Sequence, residues 1–250
     1  MSSRQVALIT GSGKRRVGWH VAQALAERGY DLAIHYRTSL VEAEVTVAAL
    51  RAAGLAAEAF GADLTDERAV HGLVEQTLAR FGRIDVLVNA AAIWRSKRLE
   101  DVTAADLRDH FDTNTLGTFL CCQQVGLAMV GQPEGGSIVN LGDWAIERPY
   151  VNYSAYFPSK GAIPTLTRTL AVELASRNPL VRVNCVSPGP VMLPLDLPHQ
   201  EREQAIQGTL VKREGRPENV AQAVLHFIDN DFVTGACLPV DGGRSIYSGE

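Results

Sequence analysis

Two residues four positions apart carry the pair of chemical groups most suited to catalysis in this chain. Tyr156 and Lys160 fall on a predicted helix, where a spacing of four places both side chains on one face. A free tyrosine has a pKa of about 10, and a neighbouring ammonium favours its phenolate, which eases proton exchange near neutral pH. Such a pair can protonate a carbonyl or an imine while a hydride arrives from a nicotinamide. The same pattern also occurs by chance on ordinary helices, so its interpretation depends on the motifs around it.

A glycine-rich turn follows the first predicted strand and precedes the first predicted helix. It runs from Thr10 to Gly18 with the sequence TGSGKRRVG. Glycines there let the backbone approach a pyrophosphate, and the helix start adds free N–H groups and the positive end of the helix dipole. The residues predicted to bind phosphate in this turn are Gly11, Lys14, Arg15, Arg16, Val17 and Gly18. The alternative for the three cations is a solvated surface cluster.

The end of the second predicted strand distinguishes between the two nicotinamide cofactors. An NAD site usually has an Asp or Glu here that binds the ribose 2′-hydroxyl, and the segment His35–Ser39 contains neither. Arg37 and Ser39 can instead bind a 2′-phosphate, with Thr38 between them and the arginines of the glycine-rich turn close by. The pattern therefore predicts NADP (NADPH) as the cofactor. If Arg37 only ends the strand, the choice of cofactor stays open.

Short apolar runs alternate with stretches of helical periodicity along the chain. The predicted strands are Val6–Thr10, Leu32–Tyr36, Ala56–Phe60, Ile84–Asn89, Ser137–Leu141, Val181–Val186 and Cys237–Val240. The predicted helices lie near 17–28, 40–53, 66–81, 104–130, 152–177, 200–207 and 217–229. Runs that are apolar throughout are typical of strands covered on both faces. The alternation predicts an α/β fold, a single Rossmann-type doubly wound domain over residues 1–250 with a parallel sheet and helices on both faces.

Composition and charge exclude several classes of protein. The 250 residues carry a net charge of −4, so no basic field attracts nucleic acid or an anionic membrane. Four cysteines, none in a C-x-x-C pair, support neither a disulfide framework nor a metal site and indicate a reducing compartment. No apolar run approaches the roughly 20 residues that cross a bilayer, and the first apolar run is too short for a signal peptide. We therefore expect a cytoplasmic protein with no nucleic-acid partner, no membrane partner and no metal.

Prolines concentrate in one segment of the C-terminal third. Four of them, at positions 188, 190, 194 and 198, fall within eleven residues. Long loops in compact domains are often lids, so residues 188–210 are predicted to form a substrate loop or lid, with a mobile connector as the alternative. Two other prolines lie in the helix that carries Lys160. Pro158 is tolerable in a first turn, whereas Pro164 predicts a kink.

An ordered set of motifs resembles the classical short-chain dehydrogenase/reductase family over nearly the whole chain. The motifs are the Thr10–Gly18 turn, Asp63–Leu64, Leu87–Ala92, Asn114, Tyr156 with Lys160, Ser187–Gly189, Phe232–Gly235 and Pro239–Gly243. The resemblance implies a sheet of seven parallel strands, a small-molecule substrate, and assembly into a homotetramer or homodimer.

The resemblance also implies roles for individual residues. Tyr156 becomes the general acid, Lys160 holds the nicotinamide ribose and lowers the pKa of the tyrosine, and Asn114 positions a proton-relay water. The residues placed along the cofactor are Asp63 and Leu64 beside the adenine, then Asn89, Ala90 and Ala91, and finally Pro188, Gly189 and Val191 toward the nicotinamide.

The chain departs from the family pattern at the catalytic serine. That serine lies thirteen residues before the tyrosine, and position 143 is Asp. A carboxylate beside Tyr156 disfavours the phenolate, which suits a reductase, because the tyrosine must stay protonated until it donates. It also accepts hydrogen bonds from the N–H groups of a nitrogen heterocycle. The alternatives are a damaged serine site or an Asp that points outwards. Further departures from the family are Arg16 for a glycine, Ala90 for an asparagine and Leu193 for a threonine.

Several positions resemble the pteridine reductases of this family. Besides Asp143, they are the basic turn, the His35–Ser39 segment, Tyr153 and Trp94. Trp94 falls where that branch has an aromatic ring that sandwiches the pterin against the nicotinamide, and an indole face stacks well on a planar heterocycle. Tyr153 falls at a substrate-side tyrosine. Ordinary packing is the alternative for both. The predicted substrate residues are Trp94, Asp143, Tyr153, Tyr156 and Leu193.

Together these features predict an NADPH-dependent reductase that transfers a hydride to a C=N bond of a pterin or folate ring. The first alternative is an NADPH-dependent carbonyl reductase that acts on keto, sugar or 3-oxoacyl substrates. The second is a non-enzymatic NADP-binding regulator. The set of Asn114, Tyr156 and Lys160 argues against a regulator, because a binding module has no use for a proton relay.

Overall fold

The computed structural model describes residues 4–247, which contain one seven-stranded sheet. Its strands are β1 (Val6–Thr10), β2 (Asp31–Tyr36), β3 (Ala57–Gly61), β4 (Val86–Asn89), β5 (Gly136–Leu141), β6 (Val181–Pro188) and β7 (Cys237–Val240). The order across the sheet is β3-β2-β1-β4-β5-β6-β7, and every neighbouring pair is parallel. The predicted parallel sheet is confirmed.

Helices cover both faces of the sheet, which explains why the strands are apolar throughout. They are α1 (Val17–Glu27), α2 (Leu40–Ala52), α3 (Glu67–Phe81), α4 (Ala104–His110), α5 (Gly117–Val130), α6 (Tyr156–Ala175), α7 (His199–Gln207) and α8 (Pro217–Asp229). Helices α3, α5 and α6 pack on one face, where Leu73 and Val125 belong to one core cluster. Helices α1, α2 and α8 pack on the other, where Leu25 and Phe227 belong to a second cluster. None of the helices within residues 4–247 is long and apolar enough to span a bilayer.

The strand order determines where a ligand can bind. The chain moves outward from β1 to β3 and then returns to the other side of β1 with β4, so the order reverses between β1 and β4. In open parallel sheets, ligands bind outside the carboxyl ends of the strands at such a reversal. The glycine-rich turn after β1 and the loops after β4, β5 and β6 all lie at this edge.

Most elements begin and end within two residues of their predicted limits, and one differs in kind. The helix predicted over 104–130 consists of α4, a π-helical turn at Phe111–Leu116, and α5. Apolar periodicity does not detect such a turn, because it adds one residue without interrupting the helix. Helix α6 starts at Tyr156 rather than near 152, with Pro158 in its first turn. It continues through Pro164, and the predicted kink there stays a prediction.

Candidate active site

Three predicted catalytic side chains meet at the carboxyl edge of the sheet. The Tyr156 hydroxyl donates to Asp143 Oδ2 over 2.6 Å, so Asp143 points toward the tyrosine and not outwards. The other oxygen of this carboxyl accepts a 2.8 Å hydrogen bond from the backbone N–H of Ala145, which fixes its rotamer. Lys160 Nζ donates to the backbone oxygen of Leu141 over 2.7 Å. The end of β5 therefore holds the carboxyl beside the phenol and anchors the ammonium, whose charge acts on Asp143.

Burial and the negative charge of Asp143 oppose the release of a proton from Tyr156. Burial, then the negative charge of Asp143 and its hydrogen bond, raise the pKa of Tyr156 well above 10. Burial also raises the pKa of Asp143, against the hydrogen bond from Tyr156, although part of the residue still reaches solvent. Burial lowers the pKa of Lys160, and the charge of Asp143 opposes that change. The phenol is thus protonated at neutral pH, as a proton donor must be.

Asn114 lies in the π-helical turn and links two walls of the site. Its side-chain oxygen accepts from the backbone N–H of Ile93 over 2.8 Å, and its amide nitrogen donates to the Ile93 oxygen and to Ser159 Oγ, both over 3.0 Å. Ser159 precedes Lys160 on α6, so Asn114 ties the loop after β4 to the catalytic helix. Both N–H donors of the amide are used, and its oxygen accepts one hydrogen bond. The predicted water-positioning role of Asn114 stays a prediction.

The glycine-rich turn approaches the loop after β4 very closely. Gly11 has φ of +65°, and a Cβ at this position would lie 2.8 Å from the Cα of Ala91. Thr10 Oγ1 accepts the backbone N–H groups of Ala90 and Ala91 over 3.0 and 3.1 Å. A Cβ on Gly18 would lie 3.0 Å from the Cβ of Ala90. These contacts explain the small residues at the turn, and Ala90 in place of a larger asparagine fits the same close packing.

His35, the first residue of the predicted cofactor segment, has a structural role that the sequence did not predict. It is buried, and its Nδ1 accepts the backbone N–H of Gly11 over 3.0 Å while Nε2 lies 3.0 Å from the oxygen of Ala62. Burial lowers the pKa of His35 to about 4, so the ring is neutral and Nε2–H is the donor. One imidazole therefore joins the turn after β1 to the segment after β3. A histidine at the end of an apolar strand was its only sequence signal.

The predicted phosphate-binding side chains are exposed around the start of α1. Lys14 lies 3.9 Å from Glu42, the Arg15 guanidinium lies 5.0 Å from the centroid of the Trp19 ring, and Arg16 is the N-cap of α1. The first turn of α1 carries no acidic residue, so its N–H groups and dipole face an anion without competition.

The 2′-phosphate segment follows β2 at the same edge. Arg37 and Thr38 are exposed, and Ser39 is the buried N-cap of α2. Arg37 is close enough to Asp63 for its charge to contribute to the lowered pKa of that carboxyl, which is mainly due to the backbone N–H of Thr65. This exposed cation and the absence of a carboxylate at positions 37 to 39 fit an NADPH ribose.

The remaining predicted cofactor residues also lie at the carboxyl ends of strands, but one side chain faces the interior. Those at the edge are Leu64 after β3, Ala90 and Ala91 after β4, Val17 and Gly18 at α1, and Pro188, Gly189 and Val191 at the end of β6. Asn89 Nδ2 donates to Asn140 Oδ1 over 2.9 Å, so its side chain buttresses β4 and β5 from within. Within residues 4–247, no three metal-ligating side chains cluster as a metal site requires.

The substrate side of the site is aromatic. The Trp94 ring stacks on Tyr153 with centroids 4.9 Å apart and an interplanar angle of 12°. Tyr153 in turn lies 6.2 Å, edge to face, from Tyr156. Trp94 is 44% exposed, so part of its ring is accessible to a ligand. The structure thus places Tyr153 beside the proton donor and Trp94 on the other side of Tyr153. Tyr150, which the sequence did not predict, packs edge to face on Tyr153.

The predicted lid is packed against the site in this structure. Leu193 N–H donates to Glu214 Oε1 over 2.9 Å, and Arg202 of α7 pairs with Glu214 Oε2 over 2.6 Å. The C-terminal segment adds Arg244, whose guanidinium donates to the Ala205 oxygen over 2.6 Å and lies 4.9 Å from the Trp144 ring. These contacts connect α7 to the residue after Asp143. That residues 188–210 open and close stays a prediction.

Known proteins match the chain in both sequence and structure. Residues 12–245 match the family model described as enoyl-(acyl carrier protein) reductase. The 3-oxoacyl-[acyl-carrier-protein] reductase FabG of Staphylococcus aureus is 32% identical over 250 residues, which cover 97% of this chain and 99% of that protein. The crystal structure of acetoin dehydrogenase from Enterobacter cloacae has a TM-score of 0.87 at 32% identity, with 99% of this chain and 98% of that chain covered. A blue fluorescent protein from a metagenomic library, in complex with NADPH, has a TM-score of 0.87 at 33% identity, with 96% and 97% covered.

A doubly wound sheet with a glycine-rich turn and a tyrosine–lysine pair at its carboxyl edge defines a nicotinamide-dependent oxidoreductase. The family model over residues 12–245 and the relatives described above show which family the chain belongs to. The chain belongs to the short-chain dehydrogenase/reductase family, and the predicted NADPH agrees with the cofactor bound in the blue fluorescent protein.

Proposed function

We propose that the protein is an NADPH-dependent carbonyl reductase that acts on keto or 3-oxoacyl substrates. The observation that carries this proposal is the 2.6 Å hydrogen bond from Tyr156 to Asp143, because it keeps the phenol protonated and so favours reduction over alcohol oxidation. The relatives support the substrate class, since one is named a 3-oxoacyl reductase and another an acetoin dehydrogenase. They favour the carbonyl alternative over the pterin that the sequence predicts.

In the proposed mechanism NADPH, when bound, supplies the hydride. Tyr156 donates its proton to the carbonyl oxygen of the substrate, and the ammonium of Lys160 stabilises the phenolate that forms. Asp143 holds the hydroxyl of Tyr156 before the substrate arrives. Because the pKa of Asp143 is raised, this carboxyl can carry a proton and return it to the phenolate after turnover. Asn114 keeps the catalytic helix in register through its hydrogen bond to Ser159.

The test is NADPH consumption with four substrates side by side: a small diketone, a 3-oxoacyl thioester, dihydrobiopterin and dihydrofolate. We expect turnover of a keto compound and its loss in Tyr156→Phe. Asp143→Ser restores the usual family residue and removes the carboxylate, so ketone reduction should persist at neutral pH but fall at a lower pH than in the wild type. Turnover of pterins alone would refute the carbonyl proposal. Tight NADPH binding without any turnover would favour the regulator.

A pterin or folate substrate is the second candidate, and the geometry of Asp143 favours it. The Asp143 carboxylate keeps lone pairs that can accept ring or amino N–H groups, and Trp94 stacks on Tyr153 with part of its ring exposed. In this case Asp143→Ser abolishes pterin turnover, because the variant lacks the carboxylate that accepts the N–H groups of the ring. Trp94→Ala would then raise the KM for the planar pterin far more than for a small aliphatic ketone.

We also propose that the enzyme is a cytoplasmic homotetramer or homodimer. Large apolar side chains exposed on α5 and α6, such as Leu127 and Val172, support a contact with further copies of the chain. Size-exclusion chromatography with light scattering measures the assembly directly. A monomer at micromolar concentration would contradict the proposal.

A further inference from the structure

Two cysteines lie directly opposite each other on neighbouring strands behind the active site. Cys185 of β6 is the register partner of Cys237 of β7, and both are free thiols. Neighbouring strands lie about 4.8 Å apart, and register partners in a parallel pair point to the same face. A disulfide joins Cα atoms about 4.4 to 6.8 Å apart. The backbone therefore already meets the distance requirement for a Cys185–Cys237 bond.

The two thiols differ in exposure and in pKa, as the attacking and the resolving thiol of a reactive pair do. Cys237 is only partly buried, and hydrogen bonding with Cys185, together with the positive charge of Arg168, lowers its pKa. Cys185 is buried, and its pKa is raised by the same interaction and by burial. Cys237 is thus the accessible thiolate and Cys185 the resolving thiol.

The other two cysteines provide an internal comparison. Cys121 and Cys122 are fully buried in α5, and burial raises the pKa of both. They are neighbours in sequence, yet they lack both exposure and a thiolate. Oxidation by peroxide should therefore occur at the pair on β6 and β7 and not at Cys121 or Cys122.

Cys185 also contacts the backbone that holds the catalytic groups. A Cβ on Gly142 would lie 2.9 Å from Cys185 Sγ, so the sulfur packs against this glycine. Gly142 lies between Leu141, whose oxygen holds Lys160, and Asp143. A change in the position of this sulfur alters the support of both catalytic side chains.

We propose that Cys185 and Cys237 form a redox-active dithiol that hydroperoxides convert into a disulfide, and that this oxidation inactivates the enzyme. The Cys237 thiolate attacks the peroxide, takes one oxygen as a sulfenic acid and releases hydroxide or alkoxide. The Cys185 thiol then displaces that oxygen as water, and the S–S bond forms with the two electrons transferred to the peroxide. The new bond moves Cys185 Sγ from Gly142 toward β7. A small dithiol reverses the step.

The test treats the reduced full-length enzyme with hydrogen peroxide and maps its peptides by mass spectrometry. We expect a Cys185–Cys237 cross-linked peptide, loss of most NADPH-dependent turnover, and recovery of both changes with dithiothreitol. Cys237→Ser should resist peroxide, and the matched variant Cys121→Ser should behave like the wild type. Cys185→Ser should stop at an oxidised Cys237 without a cross-link. Circular dichroism verifies that each variant is folded.

Two results would overturn the proposal. One is alkylation of Cys121 or Cys122 at the same rate as Cys237 in the folded protein. The other is peroxide treatment that leaves Cys185 and Cys237 unlinked, or that links them without changing turnover. Only the activity measurement rests on the proposed reductase function. The peptide map stands without a substrate, so failure of the thiol chemistry and failure of the proposed function are distinguishable.

Discussion

Replacing Asp143 by asparagine should shift the pH dependence of catalysis. Asn has nearly the same shape as Asp and keeps an oxygen that can accept the Ala145 N–H, but it carries no charge. In the native site the carboxyl oxygen lies 2.6 Å from the hydroxyl of Tyr156, and its charge contributes to the raised pKa of the phenol. Without that charge, burial is the main remaining cause that keeps the phenol protonated.

The size of the shift follows from Coulomb's law. Two unit charges about 4 Å apart at an effective dielectric constant of about 20 interact by about 4 kcal/mol. One pKa unit corresponds to about 1.36 kcal/mol, so removal of a charge at that separation lowers the pKa of Tyr156 by about 3 units. Burial still raises the pKa, which keeps the phenol of the variant protonated near neutral pH.

The assay is the pH–rate profile of ketone reduction with NADPH and of alcohol oxidation with NADP. In the wild type we expect reduction to hold its rate into strongly alkaline solution, since the pKa of Tyr156 lies well above 10. In Asp143→Asn the fall in reduction, and the rise in oxidation, should move to lower pH by as much as about 3 units. Asp66→Asn, at the N-cap of α3, is the control and should leave both profiles unchanged. Superimposable profiles for wild type and Asp143→Asn would refute the role assigned to this carboxylate.

Four further predictions concern stability, cofactor choice and the lid. Because the folded-state pKa of Asp143 is raised, this carboxyl favours folding at low pH and loses that contribution as pH rises. Asp143→Asn should therefore raise the Tm at pH 7 and change it little near pH 3. Equal changes in Tm at the two pH values would contradict a raised pKa. Arg37→Ala should raise the KM for NADPH by about 10- to 100-fold, as for one charged hydrogen bond, and leave that for NADH unchanged. Gly11→Ala places a Cβ against Ala91 at positive φ and should lower stability by about 1–3 kcal/mol in urea denaturation, together with NADPH affinity. Arg244→Ala frees the end of α7 and should speed tryptic cleavage within residues 188–210, whereas an unchanged rate would show that this contact does not restrain the segment.

The sequence by itself determined the features that depend on neighbouring residues in the chain. Runs of apolar residues locate the seven strands within two residues, because strands covered on both faces need no alternation. The spacing of Tyr156 and Lys160 predicts a shared helix face for the same local reason. Glycines after β1 predict the close turn, since Gly11 adopts a φ that other residues rarely allow.

Only the tertiary structure decided which distant groups meet. The rotamer of Asp143, which reaches Tyr156 rather than solvent, depends on the loop after β5 and its bond to Ala145. His35 bridges two loops, and Cys185 faces Cys237, because the sheet order places their strands side by side. Such contacts join residues separated by tens of positions in the chain. Local periodicity does not show which of these distant residues meet. The physical reason is that packing of the whole sheet selects these pairs, whereas propensity and spacing act only along a few turns of chain.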